Sequence, residues 1–264
     1  MSTSSLLTEA PARETTWPSI SIVAAHPDDE IIGLGGQLST LRDSAFLHVT
    51  NGATRNHPEG GSYADARRAE LLAALQIAGV PEERAAVLGF ADQEASHHLA
   101  EIAAKLRDYW LESIPAIVFT HSYEGGHPDH DATAFGVHAA CKLLELEGIR
   151  PPEIWEFTSY HAGPAGMVVS EFLPASSDAS IVVLQPEACA RKRSMFACFQ
   201  TQRQMLDNFP IGVEKLRPAP AYDFTAAPHE GLLFYENFEW GMTGGRWRTL
   251  AGSALADLRV GPLI

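Results

Sequence analysis

The sequence predicts an open, mostly parallel α/β sheet with helices on both faces, a Rossmann-like three-layer αβα sandwich. Short apolar runs alternate with longer segments of helical period over residues 19–147. This alternation is typical of strand–helix–strand units with parallel strands, and right-handed crossovers place their helices on both faces of the sheet. The 264 residues, 45% of them hydrophobic, suffice for one sizeable core.

The individual elements follow from local patterns. Predicted strands cover 19–25, 46–50, 86–90 and 116–120, and predicted helices cover 29–42, 65–78, 98–113 and 131–147. The second helix carries Leu71, Leu75 and Ala78 on one face, and Gly79 closes it. The third carries Leu99, Ile102 and Leu106 on one stripe, and Gly148 stops the fourth.

The pattern is less regular beyond Pro152. Strands are predicted over 153–160, 180–184 and, at the sheet edge, 232–238, with a long helix over 186–206. Residues 1–17 are rich in Ser, Thr, Ala and Pro and are predicted to form a flexible N-terminal tail, with a single domain over 18–264.

Composition narrows the environment and the partners. The three cysteines form no C-x-x-C motif, which indicates free thiols in a reducing compartment. Neither a signal peptide nor a run of about 18 apolar residues is found, so we expect a cytoplasmic protein without stable membrane insertion. The net charge of −14 disfavours nucleic acid and anionic lipid as partners. A small molecule fits better, and the sequence leaves open whether the chain forms a homo-oligomer.

Two His-Pro-Asp segments follow predicted strands. The first is Ala25-His26-Pro27-Asp28-Asp29-Glu30 after the first strand, and the second is His127-Pro128-Asp129-His130-Asp131 after the fourth. Ligands of open α/β sheets bind beyond the carboxyl ends of the strands, so both segments are expected at the same edge. Each proline suits the first position of a helix, and the spacing of three between paired side chains lets them converge across one turn.

These side chains match a hydrolytic zinc site, which commonly uses three His or carboxylate ligands and leaves one position for water. His26, Asp29 and His130 supply such a set, and Asp28 remains beside it as a general base. His127 is expected to stabilise an oxyanion or to protonate a leaving amine. Asp129 would orient a histidine ring.

Ordinary structure is the alternative explanation. A lone His-Pro-Asp usually marks only a capped helix start. Two such segments after parallel strands, together rich in metal ligands, favour the metal site. No G-x-G-x-x-G follows a strand, which argues against a nucleotide-dependent oxidoreductase.

The two motifs together resemble the signatures of the PIG-L/LmbE-like zinc deacetylase family. The resemblance covers residues 19–160 well and the remainder loosely. It implies the same ligands (His26, Asp29, His130), the same base (Asp28) and one Zn²⁺ per chain, although Fe²⁺ or another divalent metal is not excluded. It further implies that Arg67 and Asp92 contact substrate, and that the substrate is a small N-acetylated amino sugar or glycoconjugate of the N-acetylglucosamine type.

Two departures from the family pattern leave the substrate open. Many relatives have Gly-Glu where this chain has Gly52-Ala53, and the His that precedes Ser-Gln in many relatives is absent from Phe199-Gln200-Thr201-Gln202. Two alternatives therefore stand beside the deacetylase. One is an amidase for another small molecule, such as a thiol conjugate, and the other is a sugar-binding member of the fold that lacks catalysis.

Overall fold

A seven-stranded sheet forms the centre of the protein, whose computed structural model describes residues 19–173 and 178–263. In chain order the strands are β1 (Ile20–Ala24), β2 (Ala45–Thr54), β3 (Ala85–Asp92), β4 (Ile117–His121), β5 (Glu153–Phe157), β6 (Tyr160–Gly163), β7 (Gly166–Val169), β8 (Ser180–Val183) and β9 (Val213–Pro218). The sheet order is β3-β2-β1-β4-β5-β9-β8, and β6 and β7 form a separate hairpin. The predicted tail, residues 1–17, lies outside the described residues.

Strands β1 to β5 pair in parallel, whereas β9 is antiparallel to both β5 and β8. The helices are α1 (Asp29–Leu34), α2 (Gly61–Ala78), α3 (Leu99–Glu112), α4 (Pro128–Leu146), α5 (Pro186–Phe196), α6 (Arg203–Leu206) and α7 (Gly244–Leu258). Among the described residues, no helix combines the length and the apolar character needed to cross a bilayer.

Helices cover both faces of the sheet. Successive residues of β1 point to opposite faces, and the neighbouring side chains Ile22 and Val23 lie in different hydrophobic clusters. The cluster of Ile22 contains residues of α1, α2 and α5, and that of Val23 contains residues of α3, α4 and α7. The predicted fold class, a mostly parallel αβα sandwich, is confirmed.

The strand order reverses between β1 and β4. From β1 the chain moves outward to β2 and β3, and it then returns to place β4 on the other side of β1. Such a reversal opens a crevice at the carboxyl ends of the two central strands, where ligands of these folds bind. Both His-Pro-Asp motifs follow these two strands.

Some predicted elements end early. The helix predicted over 29–42 stops as α1 at Leu34 and continues as turns. The glycines that follow let the chain pack tightly: a Cβ on Gly36 would lie 2.4 Å from the Leu184 side chain. The helix predicted over 186–206 breaks after Phe196 into a turn and the short α6.

The edge strand predicted over 232–238 is wrong. Residues Phe234–Asn237 form a 3₁₀ turn instead. The Glu236 carboxylate accepts hydrogen bonds from the backbone N–H groups of Leu233 (2.9 Å) and Gly244 (2.7 Å), which stabilises the turn. Phe234 donates its own N–H to the carbonyl of Gly125 at 2.8 Å, which fixes this turn beside the loop that precedes His127.

Candidate active site

The two motifs meet at the ends of β1 and β4. Asp29, in the first turn of α1, lies between two histidines: its Oδ2 is 3.1 Å from His26 Nδ1, and its Oδ1 is 3.3 Å from His130 Nε2. His130 stands in the first turn of α4. All three residues are buried. The structure therefore brings together the three predicted ligands from opposite ends of a 105-residue stretch, 26–130.

This donor set fits a divalent ion. Two atoms that each bind a tetrahedral zinc at about 2.0–2.2 Å lie roughly 3.3 Å apart. The measured separations of 3.1 and 3.3 Å are of that size. In addition, His26, His127 and His130 each offer a ring nitrogen within 4.8 Å of the other two.

The outer nitrogen of His26 faces two carboxylates. Its Nε2 lies 3.2 Å from Asp129 Oδ2 and 3.1 Å from Asp92 Oδ1. Asp129 is itself held, because it accepts the N–H groups of Gln93 (2.6 Å) and Ala95 (3.0 Å). With a proton on Nε2, the lone pair of His26 Nδ1 points toward Asp29. The ring that Asp129 orients is thus His26, since the Asp129 oxygen is 4.0 Å from His127.

Asp28 is held by Arg67. Two guanidinium nitrogens lie 3.2 and 3.3 Å from Asp28 Oδ2, and one also donates to the Pro27 carbonyl at 2.7 Å. Burial raises the pKa of Asp28 to about 7, and the charge of Arg67 opposes that rise. The backbone of Asp28 has φ 133°, a left-handed conformation that disfavours any side chain. Arg67, expected to contact substrate, lines the cavity, and its charge is directed at Asp28.

His127 caps α4 and presents one nitrogen to the cavity. Its Nδ1 accepts the backbone N–H of Asp129 at 3.1 Å, so the proton of the neutral ring sits on Nε2. Burial lowers the pKa of His127 to about 3. Gly126 makes this placement feasible, because a Cβ there would lie 1.9 Å from the carbonyl oxygen of Tyr160.

Asp92, predicted to hold sugar hydroxyls, lies on the cavity wall at the end of β3. One of its oxygens is 3.1 Å from His26 Nε2 and 3.8 Å from His127 Nε2. Burial opposes its ionisation, yet the His26 ring beside it holds the pKa of Asp92 well below its usual range. Asp92 thus contacts the histidines, and about a fifth of its side chain remains exposed.

The sequence reasoning missed His121, the last residue of β4. Its Nε2 lies 3.4 Å from Asp29 Oδ2, and its ring stacks on that of His130 with centroids 4.1 Å apart. It forms a second potential metal group with Asp29 and His130. However, His121 Nε2 accepts the backbone N–H of Ala25 at 3.0 Å, which occupies the lone pair that a metal would need. The position of His121 at a strand end was the available signal.

A cavity of about 370 Å³ opens above these residues. Its described lining includes polar residues of the first 130 positions and a group of aromatic and apolar side chains from the later part of the chain: Tyr160, Met205, Phe234, Phe238 and Trp240. Three carboxylates line it, those of Asp28, Asp29 and Asp92, against the single guanidinium of Arg67. This surplus of buried negative charge also suits a bound cation.

Comparisons with known proteins find relatives of the stretch that contains these residues. Residues 21–141 match the model of the family described as PIG-L, GlcNAc-PI de-N-acetylase. Two curated relatives are 1D-myo-inositol 2-acetamido-2-deoxy-alpha-D-glucopyranoside deacetylases, one from Salinispora arenicola and one from Mycolicibacterium smegmatis. They are 28% and 29% identical over 58% and 57% of this chain. The matched stretches cover 61% and 63% of the relatives, less than two thirds of their length.

A solved structure of the zinc-inhibited form of teicoplanin deacetylase superposes with a TM-score of 0.53. The superposition covers 76% of this chain and 97% of that chain at 18% identity, which is a likeness of fold. The stretch 21–141 holds both His-Pro-Asp motifs and matches the PIG-L family model, so the predicted resemblance is confirmed.

Proposed function

We propose that this protein is a metal-dependent hydrolase that removes the acetyl group from the nitrogen of an amino sugar or its conjugate. One observation carries the proposal: the Asp29 carboxylate lies between His26 and His130, with Oδ2 3.1 Å from one ring and Oδ1 3.3 Å from the other, at the wall of a cavity that also holds Asp28. The relatives, named as deacetylases of a 2-acetamido-2-deoxy-glucopyranoside, support the choice of an N-acetylglucosamine-type sugar.

His26 through Nδ1, Asp29, and His130 through Nε2 would hold the ion, which we take to be zinc or another divalent metal such as Fe²⁺. Bound there, such an ion would polarise the acyl carbonyl and lower the pKa of a water molecule. Asp129 would keep the Nε2–H of His26 engaged, so that Nδ1 stays directed at Asp29.

Asp28 would take the proton of the attacking water. Its Oδ2 is bound by Arg67, while its Oδ1 has no hydrogen-bond partner among the described residues. Arg67 therefore leaves one oxygen oriented toward the cavity. The same oxygen would return the proton to the nitrogen as the carbon–nitrogen bond breaks, which yields acetic acid and a neutral amine. The second proton of the water stays on the acid, which releases it to solvent and becomes acetate.

His127 would act on the other side of the acyl group. Because its Nδ1 accepts the N–H of Asp129, its Nε2 is the donor that reaches the cavity. A hydrogen bond from Nε2–H to the carbonyl oxygen grows stronger as that oxygen gains charge, which stabilises the transition state.

A screen of N-acetylated amino sugars tests this function. We expect a primary amine and acetate to appear in equal amounts with at least one substrate, the release to stop with a chelator, and zinc to restore it. Asp28→Asn should keep the metal content and reduce kcat by about 10²- to 10⁴-fold. Chelator-insensitive release, or no amine from any member of the panel, would reject the proposal.

A further inference from the structure

Four aromatic side chains form a continuous wall along one side of the cavity. We call it the aromatic arc, and its members are Trp240, Phe238, Phe234 and Tyr160. Trp240 stacks on Phe238 with centroids 4.5 Å apart and ring planes 12° from parallel. Phe238 meets Phe234 at 5.4 Å, and Phe234 meets Tyr160 at 5.5 Å. All four line the cavity.

Both ends of the aromatic arc touch the proposed catalytic machinery. The Trp240 ring lies 4.9 Å from the ring of His127, and the Tyr160 ring lies 5.3 Å from that of His130. A substrate whose acyl group reaches these histidines therefore lies beside the arc. Because Phe234 and Phe238 lie between the two ends, the arc can also contact the part of the substrate beyond the reacting amide.

The arc is built to stay in place and to remain accessible. The Phe234–Asn237 turn, which contains Phe234 and immediately precedes Phe238, is fixed by the bond from Phe234 N–H to the Gly125 carbonyl and by the Glu236 carboxylate. Phe238 nevertheless keeps 42% of its surface exposed. Exposed aromatic surface on a rigid support is typical of a binding site.

The remaining lining residues differ in character from the arc. Thr54, Gln93 and Gln202 supply polar groups to other parts of the cavity wall. Among the described lining residues Arg67 is the only arginine or lysine, and it forms an ion pair with Asp28. No further arginine or lysine is therefore left in this described lining to bind a phosphate or a carboxylate.

We propose that the aromatic arc binds an uncharged, flat apolar aglycone attached to the amino sugar, in preference to a polyol or a phosphorylated one. This inference rests on the proposed deacetylase function. The polar groups are left for the sugar hydroxyls, while the aglycone stacks on Trp240 and Phe238. Stacking on an aromatic face adds to the gain from burying apolar surface.

The test compares kcat/KM for the methyl, phenyl and 6-phosphorylated methyl glycosides of N-acetylglucosamine. We expect the phenyl glycoside to exceed the methyl glycoside by about tenfold and the phosphorylated one to be the poorest. Trp240→Ala should reduce the phenyl-to-methyl ratio by about three- to tenfold. Trp240→Phe should retain most of it, because the stacking face is kept.

Tyr109→Ala is the matched control, since this exposed aromatic residue lies on α3 away from the cavity lining. It should leave the ratio unchanged. A phenyl-to-methyl ratio near one, or a ratio that Trp240→Ala does not alter, would overturn the inference and leave the deacetylase function standing.

If none of the glycosides is deacetylated, the proposed function fails separately. Calorimetric binding of the phenyl and methyl glucosaminides, the corresponding free amines, then decides the inference. Tighter binding of the phenyl compound, lost in Trp240→Ala, would support the arc as an aglycone site. Equal binding would reject it.

Discussion

The two halves of the described chain contribute differently to the same cavity. Residues 20–141 supply every proposed ligand, the base and the oxyanion donor, and this stretch nearly coincides with the family match at 21–141. Residues 142–263 supply the aromatic arc. In the proposed enzyme the first region thus carries the reaction, and the second region selects the molecule on which it acts.

The difference has a structural cause. In the first region, parallel strands bring their carboxyl ends to one edge, so the motifs meet as a consequence of topology. In the second region, antiparallel strands and turns are positioned by individual buried contacts. One is the ion pair of Lys192 with Glu214 at 2.8 Å, where Lys192 also donates to the carbonyl of Ile32. Such contacts leave freedom to vary the pocket while the reaction centre stays fixed.

The largest effect is expected when a proposed metal ligand is removed from the first region. His26→Ala should lose the metal and reduce kcat/KM by at least about a thousandfold, because the ion supplies most of the carbonyl polarisation. His57→Ala, at a cavity histidine outside the potential metal groups, should keep the metal. Elemental analysis that finds full occupancy in His26→Ala would exclude His26 as a ligand.

Lys192, which pairs with Glu214 in the second region and donates to Ile32 in the first, can be removed next. Lys192→Met leaves the Glu214 carboxylate buried and unpaired, which should cost about 3–5 kcal/mol in the free energy of unfolding. Lys142→Met, at an exposed pair with Glu145, should cost less than about 1 kcal/mol. Denaturant unfolding measures both. Equal losses would show that the buried pair does not hold the second region in place.

Substitution of Arg67 tests whether this residue of the first region positions the base or binds substrate. If it positions Asp28, Arg67→Met should reduce kcat by about 10- to 100-fold with little change in KM, because the base loses its orientation. Arg67→Lys should recover part of the loss. A raised KM with unchanged kcat would instead show that Arg67 binds substrate, as the family resemblance implies.

Of these substitutions, Glu124→Gln should have the smallest effect, which is on thermal stability. Burial raises the pKa of this carboxyl well above its usual range, so the folded protein keeps a proton that the unfolded chain loses above about pH 4.3. Stability should therefore fall as the pH rises from that value. Glu124→Gln should raise Tm by at least about 2 °C at pH 8 and leave it unchanged at pH 4.

Glu59→Gln, at an exposed position in the turn before α2, is the control and should shift Tm at neither pH. A Glu124→Gln variant with the same pH profile as the starting protein would mean that Glu124 is ionised in the folded state.

The two regions also differ in how much of their structure could be predicted from the sequence. The motif segments were predictable because a strand followed by His-Pro-Asp is a local signal, and parallel topology then forces the two copies together. Strand β9 was not predictable in this way. Its Glu214 and Arg217 suggest a solvent-facing segment, whereas in the structure Lys192 and Glu156 pair with them in the core. The 3₁₀ turn at Phe234 depends likewise on Gly125, more than 100 positions earlier.

The backbone of Asp28 carries strain that its own ion pair offsets. A side chain at φ 133° costs on the order of 1–3 kcal/mol, and glycine would adopt that conformation without this penalty. Asp28→Gly would relieve the strain, but it would also leave the buried guanidinium of Arg67 without its carboxylate, a loss of about 3–5 kcal/mol. An attempt to make the protein more heat-resistant must therefore leave residue 28 unchanged and choose positions outside this turn.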